Sequence, residues 1–141
     1  MFDGRIAVLQ KLLRFFKKRK MSVEIKNLGN YSVLTTSGQT RVYSLHTDDP
    51  KEIPYGWALV TVDQDTPDEC VLWDIHVRTQ YRRMGFGKKL MAVLQGNYKR
   101  IFTQYERGLI NSPGCRLCMS CGFKMKQQMF KNVPPAMEWV K

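Results

Sequence analysis

The chain has 141 residues, 43% hydrophobic and 25% charged, which is enough for one domain with its own core and too little for two. Gly and Pro together number only 16, which argues against a disordered or fibrous chain. The 23 Lys and Arg against 12 Asp and Glu leave a formal net charge of +11, an attraction to polyanions that does not choose among nucleic acid, anionic lipid and a phosphate-rich cofactor. The strongly apolar run Ile6–Leu13 is broken by Gln10 and Lys11 and falls far short of the roughly 20 residues of a membrane-spanning helix. The charges Lys17–Lys20 follow that run, the reverse of a secretory signal. The expectation is a basic, cytoplasmic protein with no transmembrane segment.

In chain order, Ile6, Leu9, Leu12, Leu13 and Phe16 recur at three- and four-residue steps among basic residues, which predicts an amphipathic basic helix over 3–20. Residues 1–21 hold seven Lys and Arg against one Asp. The expected organisation is this N-terminal helix at 1–21 followed by a single domain at 22–141. Tyr31–Thr36 and Thr40–His46 are rich in β-branched and aromatic residues around Ser37-Gly38-Gln39, the pattern of a hairpin. Tyr55–Asp63 and Cys70–Val77 form a second strand pair around the acidic turn Gln64-Asp65-Thr66-Pro67-Asp68. The period then changes: Phe86, Leu90, Met91 and Leu94 make one helical stripe over Gly85–Tyr98. A short strand, Arg100–Glu106, follows. Ser112-Pro113 opens a third helix and Gly122 closes it. Phe123–Phe130 and Ala136–Lys141 read as two last strands. The layout is α+β, with one βαβ crossover whose helix start is suited to an anion.

Cys115, Cys118 and Cys121 sit at two-residue gaps, a spacing also found in metal sites. A fourth ligand is hard to find, because Cys70 is isolated and His46 and His76 are far apart in sequence. On a helix the three cysteines share one face, and buried packing is the favoured reading; the rival is a small metal-binding nucleic-acid protein.

The most informative stretch is Val71-Leu-Trp-Asp-Ile-His-Val77, Arg78-Thr-Gln-Tyr81 and Arg82-Arg-Met-Gly-Phe-Gly87-Lys88-Lys89. A strand runs into a loop of Arg and Gly that opens a helix. Gly85 and Gly87 clear side chains from backbone N–H groups, and the helix dipole with Arg82, Arg83, Lys88 and Lys89 adds positive charge, which makes a plausible pyrophosphate cradle. The spacing is neither GxGxxG nor a P-loop. A glycine-containing turn before a solvated basic helix is the plainer alternative.

Arg82-x-x-Gly85-x-Gly87, after the strand ending at Val77 and after Tyr81, resembles the acetyl-CoA signature of the GNAT superfamily of N-acetyltransferases. Asn111, eleven residues before Gly122-Phe123, resembles that family's Asn…Gly-Phe stretch. The similarity covers about Tyr55 to the C-terminus. It implies a GNAT-like fold: a mostly antiparallel mixed sheet, splayed between the fourth and fifth strands, with flanking helices. It further implies that the backbone of Ile75, His76 and Val77 pairs with the pantetheine arm of acetyl-CoA, the cosubstrate. The amides of Arg83, Met84, Gly85, Phe86, Gly87 and Lys88, with Arg82, would hold the pyrophosphate, and Asn111 would hydrogen-bond the pantetheine region.

For the general base, Glu106 is the first choice, since it ends the fifth strand where amino-terminal acetyltransferases of the family carry a glutamate. Asp74 and His76, on one face of the fourth strand, are the rival base and relay. The family's usual general acid is a tyrosine four residues before the Gly-Phe pair, where this chain has Cys118. A thiol of ordinary pKa, about 8.5, can protonate a thiolate, so Cys118 is the candidate acid, with Tyr105 or water as substitutes. The front of the chain departs from the family, which usually places two helices between its first two strands.

The expected function is transfer of acetyl from acetyl-CoA to a primary amine by direct attack in a ternary complex, the amine belonging to a protein, a small molecule or a modified nucleotide. The alternative is a catalytically weak coenzyme A-binding module acting through protein or nucleic-acid contact by its basic helix, with residues 5–20 as the polyanion contact.

Overall fold

A computed structural model describes residues 23–27, 31–46, 54–104, 113–126 and 136–141. The expected N-terminal helix, Tyr105, Glu106 and Asn111 lie outside these residues. Among the described residues the strands are β1 (Val23–Asn27), β2 (Ser32–Thr36), β3 (Thr40–His46), β4 (Gly56–Thr61), β5 (Glu69–Val77), β6 (Arg100–Gln104), β7 (Lys124–Met125) and β8 (Ala136–Val140). The helices are α1 (Phe86–Asn97) and α2 (Pro113–Ser120).

The strands form one sheet in the order β1-β2-β3-β4-β5-β6-β8-β7. Neighbours are antiparallel except β5 and β6, which run parallel around the α1 crossover. The sheet is therefore mixed and mostly antiparallel, as expected. The strand β1, paired with β2 along Val23↔Thr36 to Asn27↔Ser32, was not foreseen in the sequence. It shifts the count by one, so the expected fourth and fifth strands are β5 and β6.

The β2–β3 hairpin turns at Gly38, whose φ of 107° suits glycine. Arg41 Nε donates to the Gly38 carbonyl at 2.8 Å, and Val42 N–H donates to Thr36 Oγ1 at 2.9 Å. This tight link stands where the family usually has two helices.

Strand alternation divides the side chains between two faces. One face carries Val33, Tyr43, Leu45, Ala58, Val60, Leu72 and Ile101, buried in one cluster with Phe86, Leu90, Met91 and Leu94 of α1 and with Cys115 and Cys118 of α2. Each large apolar side chain removed from water there contributes about 1.5–3 kcal/mol. The stripe expected for α1 is the buried one, and Lys88 and Lys89 are exposed. The end of α2 is a Schellman motif: Phe123 N–H reaches the Cys118 carbonyl and Gly122 N–H the Met119 carbonyl, with Gly122 at φ 92°. Burial of Cys115 and Cys118 agrees with the packing reading of the cysteines.

The opposite face carries Val42, Ser44 and His46 of β3, Trp57 of β4, and Val71, Trp73, Asp74 and His76 of β5. A β-bulge between the Leu59↔Asp74 and Val60↔Leu72 pairs gives β5 one extra residue, Trp73. The bulge turns Trp73 and Asp74 to the same face and returns Ile75 and Val77 to the core side.

Gly56 of β4 fixes the end of β5. A Cβ there would lie 2.6 Å from the His76 carbonyl oxygen and 3.3 Å from Val77 Cα, and neither backbone atom can yield cheaply. Gly56→Ala is expected to destabilise the fold by about 1–3 kcal/mol, checked by chemical denaturation. Wild-type stability would show that β5 tolerates displacement.

Candidate active site

Among the described residues, the parallel β5–β6 ladder runs from Glu69↔Arg100 to Leu72↔Thr103. Thr103 Oγ1 donates to the Leu72 carbonyl at 2.9 Å, closing the vertex. Beyond it β5 continues to Val77, paired among the described residues on its β4 side only. The hydrogen-bond parity shows what this open edge offers. Val62 N–H donates to the Gln39 carbonyl on the β3 side, so Trp57 and Leu59 direct their backbone groups to β5, where their partners are His76 and Asp74. Arg78 N–H, donating to the Tyr55 carbonyl at 2.9 Å, has the same parity. The amides and carbonyls of Ile75 and Val77 therefore face the gap. Among the described residues the two strands part as expected, and β5 presents an extended backbone edge on that side.

At the end of β5 the chain makes a 3-10 turn, Thr79–Tyr81, and then the loop Arg82–Gly85 into α1. Arg82 Nε donates to the Val77 carbonyl at 3.1 Å, tying the loop to the open edge. Arg83 at φ 66° and Gly85 at φ 83° are both left-handed, a conformation that costs a non-glycine residue about 1 kcal/mol. Gly85 is the N-cap and has no side chain to offer the helix. The first helical bond is Lys89 N–H to the Gly85 carbonyl, at 3.1 Å, so the amides of Phe86, Gly87 and Lys88 have no acceptor within the helix. Arg82, Arg83, Met84, Gly85 and Lys88 are exposed around them. This set of free amides, helix dipole and cations fits a pyrophosphate.

The two glycines differ in what they do. A Cβ on Gly85 would meet nothing within 4 Å, so the space over the loop is open. A Cβ on Gly87 would come within 2.9 Å of Leu117 on α2, so Gly87 serves the approach of α2 to α1.

An aromatic cluster supports the loop from beneath. Tyr55 stacks on Phe86 at 4.7 Å, Tyr81 meets Tyr55 at 4.5 Å, and Tyr31 meets Phe86 at 5.4 Å. Tyr31 and Tyr55 lie 55 and 31 positions before Phe86, so only the tertiary fold brings them together. Arg78, whose guanidinium lies 5.4 Å from the Tyr81 ring centroid, has a buried Nε with no hydrogen-bond partner. It adds a cation at the end of β5 that no sequence motif marked.

Asp74 and His76 do share a face, beside the open edge. His76 is buried, its ring 4.8 Å from that of Trp57. Farther along the same face His46 Nε2 and Ser44 Oγ are 2.8 Å apart. Cys118 is 3% exposed, and burial, reinforced by the nearby Cys115 and Cys121 thiols, pushes its pKa up to about 12. That thiol stays protonated and is a weak proton donor.

No curated protein matches the chain. Solved structures do. An acetyltransferase from Streptococcus agalactiae superposes with a TM-score of 0.55 at 14% identity, over 73% of this chain and 68% of that one. The PaiA N-acetyltransferase of Thermoplasma acidophilum, solved in complex with coenzyme A, gives 0.54 at 15% identity over 71% of this chain, which spans only 60% of that protein. The ribosomal-protein-S18-alanine N-acetyltransferase of Escherichia coli gives 0.51 at 18% identity, over 72% and 68%. These likenesses concern the fold. The sequence model of the Acetyltransferase (GNAT) family matches residues 30–123, from the strand β2 through the Arg82–Gly87 loop to Gly122-Phe123. This match begins earlier than the expected Tyr55, so the β2–β3 hairpin falls inside it. With two thirds of the sequence matched and the splayed sheet in place, the chain belongs to the GNAT acetyltransferase family.

Proposed function

We propose that the protein is an acetyl-CoA-dependent N-acetyltransferase that delivers acetyl to a primary amine by direct attack in a ternary complex. The single observation that carries this reading is the alignment of the open β5 edge with the free amides at the start of α1, linked by the Arg82–Val77 hydrogen bond. Acetyl-CoA supplies the activated acetyl group when bound.

The chain's own residues divide the remaining work. The loop Arg82–Lys88 and Arg78 hold negative charge at the helix start. The edge of Ile75–Val77 offers backbone pairing, and the Ile75 amide, facing the gap, is the donor for a developing oxyanion. Glu106, just past the end of β6, is the general base for the attacking amine, with Asp74 and His76 on the neighbouring strand as the alternative base and relay. Asn111 follows as the pantetheine contact. Cys118 occupies the position of the family's tyrosine, but its elevated pKa leaves the return of a proton to the thiolate to Tyr105 or water.

That weak acid also favours a second reading, a coenzyme A-binding module with slow turnover whose partner contacts run through the basic segment 5–20. Its test is the variant with Lys17, Lys18, Arg19 and Lys20 all changed to Gln. It is expected to fold normally and to bind nucleic acid or anionic vesicles more weakly, with a shallower salt dependence; unchanged binding at low salt would remove the polyanion contact. The catalytic reading is tested by calorimetric titration with coenzyme A, followed by acetyl-CoA turnover against an amine panel. Binding with turnover supports the enzyme. Binding without turnover on any amine supports the module.

A further inference from the structure

The face of the sheet opposite α1 and α2 holds a cavity of about 450 Å³, lined among others by Thr40, Thr61, Asp63, Thr66, Glu69 and Phe102. Its lining offers three hydroxyls and two carboxylates and no Lys or Arg, in a chain where 23 of 141 residues are Lys or Arg. Arg100 and Lys126 stand over Phe102, but they are engaged by Glu69 and Glu138. Asp63 forms no ion pair among the described residues; its Oδ1 accepts the Asp65 amide at 3.0 Å.

Between this cavity and the open edge of β5 stands Trp73. Its side chain is 59% exposed, an uncommon place for so large an apolar ring, and it is held in one orientation by Nε1 donating to Thr61 Oγ1 at 2.7 Å. Thr61 is also a wall of the cavity. The bulge sets Trp73 on the same face as Asp74 and His76. Cavity, indole ring and open edge therefore follow one another along β5. Val71, at the cavity, and Ile75, at the gap, are four residues apart, roughly 10–13 Å of strand.

We propose that this cavity and Trp73 form the acceptor subsite, and that the acceptor is a small linear amine carrying a second ammonium roughly 10–13 Å from the reacting nitrogen. The inference rests on the N-acetyltransferase reading and narrows its substrate class. The distal ammonium finds the Asp63 carboxylate and threonine hydroxyls as acceptors. The chain between the nitrogens crosses the indole face, where apolar contact and cation–π attraction both operate. The reacting nitrogen then lies beside the open edge.

The probe is spermidine, a linear triamine, with butylamine as the singly charged control and a lysine-containing peptide as the macromolecular one. Initial rates with acetyl-CoA are measured for the full chain and for Asp63→Asn and Trp73→Ala; calorimetry measures spermidine binding without acetyl-CoA. Both side chains are exposed, and Asn keeps an oxygen for the Asp65 amide, so both variants should fold. Expected is a kcat/KM for spermidine about tenfold or more above that for butylamine. Each variant should remove most of that preference by raising KM about fivefold or more, with kcat and coenzyme A affinity unchanged. A preference that survives both substitutions, equal rates on the two amines, or preference for the peptide would overturn the assignment. Spermidine binding that depends on Asp63 in a protein that acetylates nothing would retain the subsite and reject the transferase reading. Turnover of amines with no spermidine binding would do the reverse.

Discussion

Gly85→Asp is expected to lower coenzyme A affinity by about a hundredfold or more while leaving the fold intact. The added Cβ meets no atom within 4 Å, so no packing is disturbed. The left-handed φ of 83° is one that Asp tolerates better than most residues, at a cost of about 1 kcal/mol. The carboxylate would stand where the amides of Phe86, Gly87 and Lys88 face the pyrophosphate. Like charges about 4 Å apart near a protein surface repel by about 4 kcal/mol at an effective dielectric constant of about 20, which exceeds the hundredfold expected. Gly85→Asn separates the causes: it has nearly the same shape, favours the same backbone and lacks the charge. Titration calorimetry should show most of the affinity restored in Asn. Equal, wild-type affinity in both variants would remove this loop as the pyrophosphate site.

Glu106→Gln is expected to lower kcat by about 10²–10⁴-fold, the usual contribution of a general base, with coenzyme A affinity little changed. The substitution keeps size and hydrogen-bonding capacity and loses only the ability to accept the ammonium proton. Rate–pH profiles with a saturating amine supply the check. A Gln variant with near wild-type rates at every pH would move the role to His76 or Asp74, whose own substitutions would then carry the loss.

What was legible in the sequence was whatever local pattern encodes. The alternation around Ser37-Gly38-Gln39, the apolar stripe of α1 and the Pro113–Gly122 brackets of α2 each follow from a period or a capping rule, and the structure has all three. The strand–loop–helix passage through Arg82-x-x-Gly85-x-Gly87 was legible for the same reason: its residues are contiguous. The missed features depend on contacts between distant segments. The strand β1 has a sequence, Val-Glu-Ile-Lys-Asn, too short and too mixed to stand out before its pairing with β2 is known. The bulge at Trp73 has no glycine to announce it, yet it decides that Trp73 joins Asp74 and His76 on one face. The sequence offers Gly87 as clearing a phosphate site, whereas its missing Cβ accommodates Leu117 from α2. From sequence Cys118 has the ordinary acidity of a thiol; burial in the core raises its pKa to about 12, which composition alone does not reveal.

In the proposed function, the open edge of β5 and the start of α1 together present acetyl-CoA to an amine. The most direct measurement is to incubate the purified full chain with acetyl-CoA and a panel of primary amines, following free thiol release and the mass gain of one acetyl group on the amine. The expected result is amine-dependent thiol release matched by acetylated product, lost in Gly85→Asp. Thiol release that is absent with every amine, or that proceeds equally well in Gly85→Asp, would contradict it.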